Sequence, residues 1–233
     1  EMCIRDRRIG MPSSLDLQDK RLLVAYHEAG HALLAVLCKS SDPIHKATIT
    51  PMGRAAGFVS RVPSKDKVMS TFDELLSNII IACGGRAAEE IMFGPSHITI
   101  GASSDIQNAT NTARAMVTEY GMSSKLGFIN VGLRNQGMAV GRDISNKTFE
   151  NIDDEIKNLV DKCYKLSVEK LLEYKKELDA ITKALLTKDI LLGDEIRELC
   201  KGIKVVNAYD MLFKKKNKVA AKVPNDILTV LDK

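Results

Sequence analysis

His27, Glu28 and His31 make the pattern His-Glu-x-x-His inside a long apolar stretch of the chain. On a helix, residues four apart share a face, with Cβ atoms about 5–6 Å apart. Two imidazoles so placed can each reach one divalent ion at about 2.0–2.1 Å. Glu28 is one step round the helix from His27, near enough to touch a water on the ion without being a ligand itself. Zinc lowers the pKa of such a water to about 7. The carboxylate can take the water's proton as it attacks a carbonyl, then pass that proton to the leaving amine. This is the chemistry of peptide hydrolysis. Chance places these three residues somewhere in a chain of this length about 1% of the time. Burying them on an apolar helix without partners would cost several kcal/mol, a cost that a metal removes.

Two histidines and a water leave one ligand to find. The longer pattern HExxHxxGxxH is excluded, because Leu34 and Leu37 stand where Gly and His would be. The candidates are His45, His97, Glu89, Glu90, Asp105 and Glu119. Glu89 or Glu90 would complete a set of two histidines and one glutamate. Asp105 is the other strong candidate, although Ser103-Ser104-Asp105 ahead of a helix reads, taken alone, as an N-terminal cap. Residue types and spacing leave the third ligand open.

The elements that must position these groups are mostly helical. Lys20 to Lys39 is apolar almost all the way round, the mark of a helix buried on most faces. Lys46–Thr50 and Gly57–Val62 alternate in the manner of strands, with turn-forming residues between them. A second helix is expected over Thr71 to Phe93, ended by Gly94-Pro95. It carries Gly84-Gly85 in its interior, a costly pair that points to close approach of another backbone. A third runs from Asp105 to Tyr120 and stops at Gly121. Residues 122–146 are Gly-rich and irregular, with a candidate strand at Gly127–Leu133. Helices follow over Asn146–Leu172, Leu172–Leu186 and Gly193–Lys201, and beyond Val206 the lysine-rich composition predicts a frayed end. The fold class is mainly α with a small β-sheet. The organisation is a linker or assembly scar over 1–19, one domain over 20–204 and a basic, flexible tail over 205–233.

With 233 residues and 45% apolar content, the chain can form one substantial core. Aromatics are only 5% and Trp is absent, which favours packed helices over a β-sandwich. The net charge of +4 resides in the tail: residues 201–233 hold eight Lys and three Asp, and the remaining 200 sum to about −1. A near-neutral body has no electrostatic footprint for nucleic acid. Five scattered cysteines (Cys3, Cys38, Cys83, Cys163, Cys200) without a CxxC pair point to a reducing compartment. No signal peptide is visible, and the longest apolar segment, Leu22–Cys38, is broken by His27, Glu28 and His31. The chain by itself is expected to be soluble.

Three segments carry a family likeness: HEAGHA at 27–32, GGRAAEEIMFG at 84–94 and GASSDIQNATNTARAMVTEYGMS at 101–123. In order and spacing they resemble the peptidase domain of the FtsH family, the membrane-anchored AAA+ zinc metalloproteases of bacteria, mitochondria and chloroplasts. ITPMGRAAGFV at 49–59 and LLTKDILLGDEIREL at 185–199 add to the likeness, which covers Lys20 to Lys204. The resemblance implies a zinc endopeptidase in which Asp105 is the third ligand beside His27 and His31, Glu28 is the base, and Glu89 and Glu90 support the site. It implies polypeptide substrates, unfolded or damaged membrane and cytosolic proteins, and a homo-hexamer whose ATPase ring feeds them in. It places the full-length protein on the cytoplasmic side of the inner membrane. The chain has no GxxxxGK[ST] segment and no membrane span, so it reads as an excised C-terminal part whose ATP use belongs to an absent AAA+ module.

Other features carry weaker expectations. The strand at Gly57–Val62, beside a metal helix, could offer an open edge to an extended substrate, or simply pack on the helix. His45 and His97 read as solvated side chains. The lysines between Leu212 and Lys222 could meet anionic lipid, but a solvated end is the simpler account. Two rival functions are a non-proteolytic oligomerisation module with a structural metal, and a stand-alone peptidase of the two-His-one-Glu kind.

Overall fold

The computed structural model describes residues 14–52, 56–63, 69–131 and 145–214. Its first helix, α1, runs over Ser14–Leu37. It begins ahead of the expected Lys20 because nothing between Ser14 and Lys20 breaks a helix; the segment has neither Gly nor Pro. As the all-round apolar pattern predicts, its middle is enclosed, with Ala25, Ala29, Ala32, Leu33 and Leu34 buried. Helix α2 (Phe72–Phe93) lies against it. Its start is fixed by Thr71, whose hydroxyl accepts the Glu74 N–H while the Glu74 carboxylate accepts the Thr71 N–H. Its end is Gly94, at φ 82°.

Helix α3 (Ser103–Thr118) and the long α4 (Asn146–Glu173) pack on α2, while α5 (Lys175–Lys188) packs on α1. Two short helices follow, α6 (Gly193–Leu199) and α7 (Ala208–Phe213). The sheet has β1 (Ile44–Thr48) at its centre, antiparallel to β2 (Phe58–Arg61) on one side and to β3 (Ile190–Leu192) on the other. Ala47 stands opposite both Val59 and Leu191. The mainly helical fold with a small sheet is therefore as expected from the sequence.

Three details differ from that reading. The third strand was not expected, since three consecutive apolar residues show no alternation; Asp189, at φ 60°, turns the chain out of α5 into it. No strand occurs over residues 127–131, and residues 132 and 133 lie outside the described part. The chain also stays folded past Val206. Val206 N–H donates to Leu37 O and Lys39 N–H to Val206 O, both at 3.0 Å. Tyr209 then sets its ring against Phe72 and donates its N–H to Asp73 Oδ1 at 2.7 Å. The frayed end expected from 205 onward is thus a docked helix as far as Phe213. Residues 215–233, with most of the lysine cluster, and residues 1–13 lie outside the described residues.

Cys38, Cys83, Cys163 and Cys200 are buried free thiols. Among the described residues no helix is long and apolar enough to cross a membrane.

Candidate metal centre

The centre begins where two helices touch without side chains between them. A Cβ on Gly84 would lie 2.8 Å from the Gly30 carbonyl oxygen, and one on Gly30 would lie 2.8 Å from the Ala88 Cβ. The close approach that Gly84-Gly85 suggested is therefore real, and its partner is the glycine inside the His-Glu-x-x-His segment. Gly85 has a separate task. A Cβ there would lie 2.7 Å from Cδ2 of the His27 ring and closer still to Cε1 and Nε2. The missing side chain is the space that the imidazole fills.

His27, Glu28 and His31 are all buried. The two rings meet edge to face, centroids 4.8 Å apart. Each ring is held on its far side. His31 Nδ1 is 2.7 Å from the Ile81 carbonyl oxygen, which can only accept, so Nδ1 carries the hydrogen. His27 Nδ1 donates to Glu89 Oε1 at 2.7 Å. Both Nε2 atoms are thereby left with lone pairs, and they face each other at 3.1 Å. Asp105 closes the group, its Oδ2 lying 3.4 Å from His27 Nε2 and 3.5 Å from His31 Nε2.

Among the described residues, His27, His31 and Asp105 are the cluster of potential ligands able to hold a metal ion. Tetrahedral zinc with ligands at about 2.0–2.1 Å needs them about 3.3 Å apart, so the donor set fits. Three acceptor atoms turned on one point repel one another unless a cation lies between them. Burial disfavours ionised His27, but Asp105 and Glu89 outweigh it and raise its pKa to about 9. Burial likewise opposes ionised Asp105, yet the two imidazoles hold its carboxyl well below the usual range.

Asp105 is not the helix cap that its sequence neighbourhood suggested. A 3₁₀ turn at Ile100–Ala102 feeds directly into α3, so the helix starts at Ser103 and Asp105 falls within its first turn. Its carboxylate is turned to the histidines instead. Glu89 is fully enclosed on the Nδ1 side of His27, away from the converging atoms. Burial raises its pKa, but the bonds from His27 and Thr99 prevail and keep it ionised. Glu90 accepts the Tyr164 hydroxyl. His45 is exposed on β1, His97 is exposed with Nδ1 near Ser96 Oγ at 3.1 Å, and Glu119 caps the opposite end of α3. None of these joins the cluster.

Glu28 faces a cleft of about 1090 Å³ that the two histidines and Asp105 also line. Burial pushes its pKa up, and the nearby imidazoles pull it back down. Gly57, just before β2, brings the backbone of the sheet to it: a Cβ there would sit 2.9 Å from Glu28 Oε1. Gly57 and Thr99 also shape the site, and neither was named as a site residue from the sequence. The interior glycine pair was a signal for Gly85, whereas nothing local distinguishes Thr99.

Comparison with known proteins shows the family. The profile of peptidase family M41 matches residues 15–199. Similar proteins include the ATP-dependent zinc metalloprotease FtsH of Rickettsia bellii, 43% identical over 185 residues, covering 78% of this chain and 29% of that protein. The protein of the same name from Thermotoga maritima is 38% identical over 204 residues, covering 83% of this chain and 33% of that one. A third, from Trieres chinensis, is 38% identical over 203 residues, covering 83% and 31%. The chain thus spans about a third or less of the length of these relatives. With a profile that covers most of its length and relatives near 40% identity, this chain belongs to peptidase family M41.

Proposed function

We propose that this chain is a zinc endopeptidase domain in which His27, His31 and Asp105 hold the metal and Glu28 is the general base. The observation that carries the reading is the convergence of two Nε2 atoms and a carboxylate oxygen, 3.1–3.5 Å apart, beside a buried carboxylate that faces the same cleft. Zinc held there would polarise a scissile carbonyl and acidify a water. Glu28 would accept a proton from the attacking water and deliver it to the leaving nitrogen as the C–N bond breaks. Burial raises its pKa above that of a free carboxylate, the direction a base that must also return its proton requires. Glu89 and the Ile81 carbonyl hold the hydrogens on Nδ1, which keeps both Nε2 lone pairs turned inward.

Among the described residues the order β2-β1-β3 leaves one side of β2 unpaired, and Gly57 brings that strand against Glu28. An extended polypeptide added there would be held through its main chain, which gives cleavage tolerant of sequence. The substrates we infer are unfolded or damaged membrane and cytosolic proteins. ATP dependence, part of the relatives' names, is assigned to an AAA+ module outside these 233 residues. Hexamer formation and attachment to the cytoplasmic side of an inner membrane are assigned to the full-length protein in the same way.

Casein cleavage by the purified chain, with and without a chelator, is the first test. Glu28→Gln should abolish cleavage and keep zinc, while Asp105→Ala should lose both. Chelator-insensitive cleavage, or turnover by the Glu28→Gln chain, would refute the mechanism.

A further inference from the structure

We propose that Thr99 is a positioning residue whose hydroxyl, acting through Glu89, sets His27 and the Asp105-bearing segment in one frame. The inference rests on the metal reading above and concerns how the ligands are brought to a common point before an ion arrives.

The carboxylate of Glu89 has no exposed surface and takes three hydrogen bonds. Oε1 accepts from His27 Nδ1 at 2.7 Å and from Thr99 Oγ1 at 3.2 Å, and Oε2 accepts from the Thr99 N–H at 2.8 Å. A carboxylate only accepts, so the Thr99 hydroxyl must spend its single hydrogen on Glu89. Its oxygen remains free to accept the Gly101 N–H, at 3.2 Å. The result is a directional chain that runs from Gly101 N–H through the Thr99 hydroxyl to Glu89, with His27 Nδ1–H entering from the other side.

Thr99 stands immediately before the 3₁₀ turn that opens α3, and Asp105 lies in the first turn of that helix. His27 belongs to α1 and Glu89 to α2. One buried carboxylate therefore ties a ligand on α1 to the segment that delivers a ligand on α3, with the Thr99 hydroxyl as the link. Without it, the buried Glu89 loses one of its three donors, at a cost typical of a buried polar group, and the exposed Gly101 N–H exchanges its acceptor for water. The Thr99 N–H bond survives any ordinary substitution, so removing the hydroxyl loosens the frame without touching a ligand. Partners of ligating histidines set metal affinity by about 10–100-fold when they are lost.

The test compares the 233-residue chain with its Thr99→Val and Thr99→Ser variants. Zinc affinity is read by competition with a coloured chelator, the visible spectrum is read with cobalt(II) in place of zinc, and melting is followed without metal. Thr99→Val should bind zinc about tenfold or more weakly and shift the cobalt bands. Thr99→Ser, which restores the hydroxyl, should match the parent in both. A valine variant with parental affinity and spectrum would overturn the proposal, and so would a serine variant as weak as the valine one. A hydroxyl that merely capped the turn would lower the melting temperature of the valine variant and leave the cobalt spectrum alone. If the parent chain takes up neither metal, the metal reading itself falls, a result separate from any difference among the variants.

Discussion

Replacing Gly85 by Ala places a methyl carbon where the His27 ring now lies. The new carbon would sit 2.7 Å from His27 Cδ2, against a normal carbon–carbon contact of about 3.5–4.0 Å, so the ring must retreat by about 1 Å. Metal sites tolerate ligand displacements of only about 0.2 Å. The ring cannot swing freely either, because its Nδ1 is tied to the fully buried Glu89 at 2.7 Å. Either the imidazole leaves the cluster or α1 and α2 separate. The first is cheaper, since Ala is worth about 1 kcal/mol over Gly inside a helix and offsets part of the strain. Zinc affinity should therefore fall by about 100-fold, roughly 2.8 kcal/mol, while the metal-free fold survives. Zinc bound per chain in metal-buffered solution measures the first quantity, and melting in chelator together with far-ultraviolet circular dichroism measures the second. Parental zinc affinity and peptidase activity in Gly85→Ala would refute the reasoning, for His27 would then not hold the metal from the position described.

Gly30→Ala should act differently, since the added carbon meets the backbone of α2 and not a movable ring; overpacking of this kind costs about 1–3 kcal/mol, and a melting temperature equal to the parent's would contradict the helix contact. Burial raises the Cys38 and Cys83 thiols to about 12, so iodoacetamide at neutral pH should leave both unmodified until the chain unfolds, and peptide mapping that finds them alkylated in the folded state would refute this. Burial, then the hydrogen bond to Asp179, raises Tyr26 to about 12. An unfolded tyrosine ionises near about 10, so above that pH the unfolded state binds fewer protons and stability falls until the folded group also titrates. Urea titrations across that interval should show the decline in the parent and a shallower one in Tyr26→Phe; equal slopes would remove Tyr26 as a cause.

How far the sequence could be read depended on how local the cause was. The pairing of His27 with His31 follows from helical pitch alone, and the burial of α1 from its unbroken apolar surface. Gly84-Gly85 announced a close contact without saying with what, because the partner, Gly30, lies on another helix. The position of Asp105 is harder. It depends on α3 docking against α2 and on a 3₁₀ turn that moves the helix start back to Ser103, and neither leaves a periodic trace. Residue types alone therefore left Glu89, Glu90 and Asp105 as the chief competitors, and only the likeness to a known family separated them. β3 and α7 went unseen for a related reason: both are too short to show a period and exist because of what they dock on, β1 in one case and α2 in the other.

The sheet joins distant parts of the chain. β1, which follows the helix bearing His27 and His31, has β3 as one neighbour, and Leu37 and Lys39 pair with Val206. During synthesis on the ribosome, the histidine helix emerges early, but its C-terminal end and the strand after it stay partly unpaired until the residues around 190–206 have also left the exit tunnel. A nascent chain halted before Ile190 would hold the ligands of the centre but leave β1 without one of its two partner strands. Completion of the sheet is in this sense a late step in synthesis, and a shortened chain ending ahead of that segment should be a client for chaperones and not a smaller peptidase.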